Sequence, residues 1–352
     1  MITRKDVAER ANVSVTIVSR VLNNSGYVAK EKREAVRRAV KELKYQPNPV
    51  AVSLKKNRTR QILFYVNDLS NYFYMELYQG MMAYALKKDY LIVMSGELNP
   101  SQIGRIMIDG MILPNEFYSA DAFTEEFYIP VVVASHGTQI NHKFTNVDAN
   151  TAVAMQKAIT YLRSKGHIRI AYAAKFRTDY SDPRHQTFRE LMSCVYGDRV
   201  MHYIMGRKEE ELEEGVINYF ESGRHAARYY IDQKIDATAI ISFNDDTAIG
   251  LMSEFYRHGI RVPDAVSVIG IDGQMEGMYS SPPLTSVSLN PYEQGRKCAE
   301  ILIRQIEMKK NQKDYTEQPQ IIDIPIELIE RSSVIDINQQ SLMSQTHQVS
   351  VS

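Results

Sequence analysis

The chain has 352 residues, with 42 Lys or Arg and 42 Asp or Glu, so its formal net charge is zero. This length predicts one small and one or two medium domains. No apolar run approaches the roughly eighteen residues of a membrane-spanning helix. The two cysteines, Cys194 and Cys298, lack CxxC spacing, which favours buried structural thiols. The first residues read as a functional helix rather than a secretory leader, and we expect a cytoplasmic protein.

The charge is distributed unevenly along the chain. Residues 1–60 contain 15 Lys or Arg and five Asp or Glu, a net charge of about +10, and the remaining residues carry about −10. A basic head on an acidic body is typical of a protein that contacts DNA phosphates through one end only.

The first residues have the pattern of a helix-turn-helix. Thr3 is placed to cap a first helix, residues 12–14 provide a turn, and Ser14 can cap a second helix over residues 15–22. Such a second helix is the element that enters the major groove of DNA. A third helix is predicted over residues 30–44. We therefore predict a DNA-binding domain at residues 1–45.

Residues 46–59 are predicted to form a hinge helix and linker. Pro47 and Pro49 interrupt the preceding helix, because proline disfavours helical backbone in the residue before it. The amphipathic residues 50–56 span only two turns, too short for a stable isolated helix, so we expect them to order on DNA.

From residue 60 onward, apolar runs alternate with helical patterns. Strands are predicted at residues 62–66, 90–94, 110–113, 131–134, 168–172, 239–242 and 266–270, and helices at 75–87, 150–165 and 247–258. Continuous apolar runs of this kind indicate parallel strands buried on both faces. Two such blocks predict two Rossmann-like α/β subdomains with a cleft between them, where ligands bind at the carboxyl ends of the strands.

The ordered set of motifs resembles the lactose-repressor (LacI/GalR) family from about residue 2 to residue 335. The motifs that carry the resemblance are Asp6-Val7-Ala8, Val13-Ser14, Val18-Ser19-Arg20-Val21-Leu22-Asn23, Tyr45-Gln46-Pro47-Asn48, Asn146-Val147-Asp148-Ala149-Asn150, Gly166-His167, Phe243-Asn244-Asp245, Val262-Pro263-Asp264, Gly270-Ile271-Asp272 and Pro282-Pro283-Leu284-Thr285. The resemblance implies a homodimeric transcriptional regulator whose core, residues 60–335, is similar to periplasmic binding proteins. Subdomain 1 would span about 60–160 and 290–320, and subdomain 2 about 161–289 and 321–335. The polar tail, residues 336–352, is expected to be disordered.

The resemblance also implies the site residues. DNA contacts are expected at Thr3, Ser14, Val15, Thr16, Ser19, Arg20, Asn23, Ser25, Lys32, Ala51 and Leu54. Val15 and Thr16 would discriminate bases, Ser14, Ser25 and Lys32 would anchor phosphates, and Leu54 would wedge into the minor groove. Effector contacts are expected at Phe73, Tyr74, Asp148, Arg184, Asn244 and Asp272, with either Tyr219 or Phe220 as the aromatic residue of the second subdomain.

These features predict a repressor of a carbohydrate-utilisation operon, relieved by a sugar or sugar phosphate. No GxSxG, HExxH or phosphate-loop motif is present, so we expect neither an enzyme nor a cofactor or metal. A second interpretation stays open, a pleiotropic or purine-type regulator whose DNA binding is strengthened by a phosphorylated carrier protein or a purine. The chain departs from the family pattern at three places. Tyr72 replaces a proline, and Leu289 occupies a position that is often polar. The stretch between Met94 and Gly110 is short. The tail has no leucine heptads, which favours a dimer over a tetramer.

Overall fold

The computed structural model describes residues 2–46, 58–66, 68–69, 71–96, 107–114, 129–137, 142–208, 218–311 and 318–338. The chain divides into two compact units, Met1–Arg60 and Gln61–Ser352. The predicted DNA contacts Ala51 and Leu54 lie outside the described residues, as do most of the predicted hinge and tail. No helix in the described ranges combines the length and apolarity needed to cross a membrane.

The described residues of the N-terminal unit form three short helices, α1 (Arg4–Arg10), α2 (Val15–Leu22) and α3 (Lys30–Glu42). The Thr3 hydroxyl accepts a hydrogen bond from the Asp6 N–H, and the Asp6 carboxylate accepts one from the Thr3 N–H at 2.7 Å, which forms a capping box. Ser14 caps α2 by accepting from the Ile17 N–H. The predicted start of each of the first two helices is confirmed, whereas α3 ends two residues earlier than predicted.

A small apolar core holds these helices together. Its buried members are Val7, Ala8, Val18, Val21, Val28, Val36, Ala39 and Tyr45. Asn12 adopts a left-handed conformation (φ 51°) at the turn between α1 and α2, as an asparagine tolerates. Because the inner face of α2 is used in this core, the opposite face of that helix points to solvent.

The second unit begins with a parallel sheet whose strands are rich in apolar residues. Its strands are β1 (Gln61–Tyr65), β2 (Leu91–Ser95), β3 (Gly110–Pro114), β4 (Val131–Ser135), β5 (Thr145–Asp148) and β11 (Ile321–Asp323). The order among the described strands is β11-β5-β4-β3-β1-β2. The helices α4 (Tyr72–Ala85) and α9 (Pro291–Asn311) pack against this sheet. Strands β5 and β11 were not predicted, because both are short and β11 is partly exposed.

A second sheet follows the same plan. Its strands are β6 (Ile170–Ala173), β7 (Ile204–Met205), β8 (Ala239–Ser242), β9 (Ser267–Asp272), β10 (Thr285–Ser288) and β12 (Glu327–Ile329), in the order β12-β10-β9-β8-β6-β7. All described pairings are parallel except β10 with β12. The helices of this subdomain are α5 (Thr151–Ser164), α6 (Pro183–Tyr196), α7 (Tyr219–Asp232) and α8 (Asp245–Arg257). The predicted pair of α/β subdomains with parallel sheets is confirmed.

Within the described residues the chain crosses between the two subdomains at three places, and two of them differ from the predicted boundaries. The first lies between β5 and α5, near residue 150 rather than 160, because α5 packs on α6 and on the second sheet. The third lies between β11 and β12, because β11 pairs with β5 in the first sheet. The second crossing lies between β10 and α9.

Helices α4 and α9 approach each other closely through glycines. A methyl group at Gly295 would lie 1.9 Å from the Leu77 carbonyl oxygen, and one at Gly80 would lie 1.9 Å from the Tyr292 carbonyl oxygen. Only glycine fits such a backbone-to-backbone contact. The crossing fixes the position of α4, whose first turn carries residues of the site described below.

Candidate functional site

The outer face of α2 presents the predicted DNA contacts to solvent. Val15 is 44% exposed, and Thr16 and Arg20 are also exposed, whereas Ser19 is half-buried and accepts a hydrogen bond from the Asn23 side chain at 3.3 Å. The other described candidates, Thr3, Ser14, Asn23, Ser25 and Lys32, are all exposed. The hydroxyls of Thr3 and Ser14 also serve as helix caps, so these two residues have a structural role in any case.

The loop after α2 adds one aromatic residue that the sequence interpretation passed over. Gly26 adopts a left-handed backbone (φ 68°), and a methyl group placed on it would lie 3.7 Å from the Arg20 side chain. Tyr27, next in the chain, is 89% exposed. Tyr27 follows the recognition helix of a basic domain. Its position in the sequence could therefore have identified it as a residue of this surface.

A cleft that is partly open to solvent lies between the two subdomains of the second unit. Its lining residues come from both sides of the cleft and follow the carboxyl ends of strands or begin helices: Asn71, Phe73, Tyr74, His136, Thr151, Arg184, Tyr219, Phe243, Asn244, Asp272 and Leu289. Five of the predicted effector residues therefore meet in one pocket: Phe73, Tyr74, Arg184, Asn244 and Asp272.

Arg184 is the only arginine in this described lining, and its guanidinium is extensively bonded. Nε donates to one carboxylate oxygen of Asp182 at 3.0 Å, and Nη2 donates to the other at 2.8 Å. Nη1 donates to the Phe243 carbonyl at 3.1 Å, and the guanidinium carbon lies 3.5 Å from the centre of the Phe243 ring. These contacts hold the guanidinium rigidly and use three of its five N–H donors.

Asp272 ends β9 in a strained conformation at the wall of the pocket. Its φ of 123° lies in the region that favours glycine, and its side chain is 5% exposed. Strain of this kind persists where the surrounding structure requires it, often at a ligand site. Burial raises the pKa of Asp272, and the nearby Asp245 carboxylate raises it further, opposed by Arg184.

Asn244 lines the pocket and also caps a helix. Its side-chain oxygen accepts hydrogen bonds from the Thr247 N–H at 2.9 Å and the Thr247 hydroxyl at 2.7 Å, so it caps α8. The cap fixes the orientation of the Asn244 amide at the strand end.

Aromatic rings line both sides of the pocket. On the first subdomain, Phe73 meets the Tyr74 and His136 rings edge to face, with centroids 5.9 and 5.0 Å apart. On the second, Tyr219 and Phe243 are parallel, with an interplanar angle of 9° and centroids 5.6 Å apart. Such surfaces can pack on the apolar face of a sugar or on a planar heterocycle.

Two predicted effector residues do not line the pocket. Phe220 is 43% exposed, and Tyr219, the other alternative, takes the aromatic position instead. Adjacent residues of a helix point about 100° apart, and in the first turn of α7 Tyr219 is the one that lines the cleft. Asp148 is buried, and its carboxylate accepts hydrogen bonds from the Ser135 hydroxyl at 2.8 Å and the Gly137 N–H at 2.7 Å. It shapes the loop after β4.

Other lining residues were not predicted as effector contacts. Asn71 caps α4 by accepting from the Phe73 N–H at 2.9 Å, and the Thr151 hydroxyl donates to the His136 carbonyl at 2.8 Å. His136 directly follows β4, a position that could have identified it once that strand was predicted. Within the described ranges, no group of three or more His, Cys, Asp or Glu side chains could hold a metal ion.

Two family models match the chain. Residues 3–48 match bacterial regulatory proteins of the lacI family, and residues 159–334 match a periplasmic binding protein-like domain. The transcriptional repressor PurR of Vibrio cholerae is 32% identical, covering 96% of this chain and 100% of its own length. The transcriptional repressor CytR of Escherichia coli is 29% identical, covering 87% and 90%.

Solved structures agree with these matches. A complex of the transcriptional regulator CelR with cellobiose is 25% identical, with a TM-score of 0.62, and covers 95% of this chain and 100% of its own. The Lac repressor dimer bound to operator and the anti-inducer ONPF is 20% identical, with a TM-score of 0.74, covering 95% and 99%, and it shows the shared fold. The chain therefore belongs to the lacI family of bacterial regulatory proteins, and it is a DNA-binding transcriptional repressor rather than an enzyme.

Proposed function

We propose that this repressor controls a carbohydrate-utilisation operon and that a sugar in the pocket between its subdomains releases it from DNA. The observation that carries the proposal is the pocket itself, which combines aromatic rings from both subdomains with Arg184, Asn244 and Asp272. Sugar hydroxyls both donate and accept hydrogen bonds, so a guanidinium, an amide and a carboxylate suit them. The cellobiose bound to the related regulator CelR supports this choice of ligand class.

The DNA-reading surface proposed here is the exposed face of α2 with its neighbouring turns. Val15 and Thr16 contact base edges in the major groove, where the Thr16 hydroxyl bonds either edge and its methyl group contacts thymine. Arg20 contacts bases and phosphates. The positioning contacts are those of Thr3, Ser14, Ser19, Asn23, Ser25 and Lys32. In a homodimer, two such surfaces read the half-sites of a near-palindromic operator.

The hinge contributes a second DNA contact in this proposal. Leu54, with Ala51 beside it, enters the minor groove and partly unstacks a base step. The stacking energy that is lost is offset by new contacts between protein and DNA. The Leu54→Ala substitution is expected to weaken operator binding and to leave ligand affinity unchanged. Unaltered operator binding, measured by fluorescence anisotropy, would remove the wedge from the mechanism.

The proposed control is a population shift between two arrangements of the subdomains. A ligand that bridges the pocket favours the arrangement with lower DNA affinity, because it contacts residues of both subdomains at once. The coupling free energy expected for such a change is about 1–3 kcal/mol.

A thermal-shift screen of the full-length protein against free sugars, sugar phosphates and purines tests the ligand class. A ligand that binds the folded state raises the midpoint of unfolding by mass action. We expect a sugar to raise it, and the same sugar to weaken operator binding. A sugar that stabilises the protein and leaves operator affinity unchanged would contradict the proposal.

A purine corepressor is the second candidate, and two observations favour it. PurR of Vibrio cholerae is a relative over the full chain, and the parallel Tyr219 and Phe243 rings offer a flat surface for a planar base. Stabilisation by a purine base, together with tighter operator binding, would select this function. A protein with no response to either class directs the search to a phosphorylated carrier protein.

A further inference from the structure

The charge of Arg184 is balanced inside its own subdomain. Its two hydrogen bonds to Asp182 are paired, and both side chains are only 12% exposed. Burial alone would raise the pKa of Asp182, but the Arg184 guanidinium holds it below its usual range, so the pair is ionised and has no net charge. The most prominent cation of the pocket is therefore already neutralised before a ligand arrives.

Two buried carboxyl groups lie at this wall of the pocket. Asp272 lines the wall, and Asp245 lies behind it, where it accepts hydrogen bonds from the Ser286 hydroxyl at 2.5 Å and the Gln274 N–H at 2.7 Å. Burial raises the pKa of Asp245 to about 7, against these two hydrogen bonds and the positive charge of Arg331. Since lysine is absent from the described lining, nothing there offsets Asp272 except Arg184.

More carboxylates face one another where the two subdomains meet. Asp246, at the start of α8, is 6% exposed, and its Oδ1 has no hydrogen-bond partner among the described residues. Burial raises its pKa to about 6, with further contributions from Glu276 on its own subdomain and Asp68 on the other. Glu76 of α4 reaches across to the Met275 N–H, and its pKa is raised by burial and by Glu276. Each of these groups lies in a field that disfavours additional negative charge.

We infer that the pocket selects an uncharged or cationic ligand, such as a free sugar or an amino sugar, and rejects its phosphorylated form. The inference rests on the proposed function, because it concerns the ligand of the same pocket. A phosphate brings up to two negative charges next to Asp272 in the lining, while Arg184 is already engaged by Asp182. Sugar hydroxyls can donate to Asp272, and an ammonium group gains from the same field. A phosphorylated ligand is expected to bind at least about tenfold more weakly than its free counterpart.

Inorganic phosphate tests the charge balance without knowledge of the natural ligand. We would compare the thermal midpoints of full-length wild type, Arg184→Gln and Asp182→Asn in phosphate and in chloride at equal ionic strength. Asparagine keeps the cap of α6 at position 182 and removes the charge that balances Arg184. The wild type and Arg184→Gln are expected to respond equally, through the DNA-binding unit and general salt effects, and Asp182→Asn is expected to gain an additional saturable shift. A saturable shift in the wild type that Arg184→Gln removes would overturn the inference, and an Asp182→Asn variant without the gain would count against it.

Matched ligands then separate this inference from the proposed function. Glucose, glucosamine and glucose 6-phosphate, and likewise adenine and AMP, are titrated by calorimetry into the full-length protein and into Arg184→Gln. The inference is supported if the free ligand of either set binds more tightly than its phosphorylated counterpart and if this binding depends on Arg184. That result supports the inference even where only the purine set binds and the carbohydrate function fails. Tighter binding of a phosphorylated member, lost in Arg184→Gln, overturns it while leaving a carbohydrate function possible.

Discussion

The two units of this protein hold their functional side chains in opposite ways. On α2, the residues that would read DNA are mostly exposed and lie within one short segment, next to a core of a few small apolar side chains. In the second unit, Arg184, Asn244 and Asp272 are largely buried and already hydrogen-bonded to their own subdomain. DNA supplies its own regular shape, so a protruding helix suffices, whereas a small ligand requires a preorganised pocket. Substitutions should accordingly damage stability in the pocket and affinity on α2.

The largest expected effect concerns the scaffold of the second unit. The Gly295→Ala substitution places a methyl group 1.9 Å from the Leu77 carbonyl oxygen, so α4 and α9 must move apart. We expect a loss of more than about 4 kcal/mol in the free energy of unfolding, measured by urea denaturation. Gly259→Ala is the matched control, because its methyl group meets open space and costs only about 1 kcal/mol through its left-handed backbone. Equal effects of the two substitutions would contradict the packing of α4 on α9.

Arg184→Gln is expected to cost about 3 kcal/mol of unfolding free energy at neutral pH, because it leaves the buried Asp182 carboxylate unpaired. The lowered pKa of Asp182 means that the pair stabilises the fold above the unfolded pKa of about 4 and that this stabilisation is lost as the pH falls through the folded pKa. The difference between wild type and variant should therefore shrink below about pH 4. Arg189→Gln, an exposed change on the same helix, should have little effect. A cost that is independent of pH would argue against the ion pair.

The Asp246→Asn substitution is expected to stabilise the second unit at alkaline pH but not at acidic pH. Its pKa of about 6 is raised above that of the unfolded chain, so the ionised carboxylate destabilises the fold, fully so above the folded pKa and not at all below the unfolded one. We expect a gain of about 1–2 kcal/mol at pH 8 and none at about pH 4, by urea denaturation at each pH. The exposed Asp264, changed to Asn, serves as the control. If the difference in unfolding free energy between variant and wild type is the same at every pH, then charge repulsion and burial of the Asp246 carboxylate are not its cause.

The smallest effects are expected on α2 and the start of α3, where single contacts contribute to operator affinity. Lys32→Ala should weaken binding to all duplexes similarly and lower the salt dependence by about one ion, as for a phosphate contact. Thr16→Ala should instead change the preferred base at one position, by about 1 kcal/mol or more. Binding to a panel of duplexes over a range of salt concentrations separates these two behaviours. A base-dependent effect of Lys32→Ala would reverse the assigned roles.

The same difference explains how much the sequence could predict. The caps Thr3 and Ser14 and the apolar positions of α2 depend on neighbours three or four residues away, so local patterns identified them. Arg184, Asn244 and Asp272 were found through the family resemblance, and the pocket brings them together. Whether Phe220 faces the pocket depends on the rotational phase of α7. The orientation of Asp148 depends on the loop after β4.

The remaining errors have physical causes of the same kind. Strand β11 joins the first sheet by pairing with β5, a contact between segments far apart in the chain. His136 and Thr151 enter the pocket because β4 ends beside the start of α5, an arrangement that requires the order of strands in the sheet.

The central claim is that a ligand in the pocket controls operator binding. Its most direct test is an operator titration with a duplex selected from random DNA, using the full-length protein and its Arg184→Gln variant. Each is titrated with and without the free sugar that most stabilises the wild type. We predict that the sugar weakens wild-type operator binding by about five- to 150-fold and has no effect on the variant. Equal operator affinity of the wild type with and without saturating sugar would contradict this account.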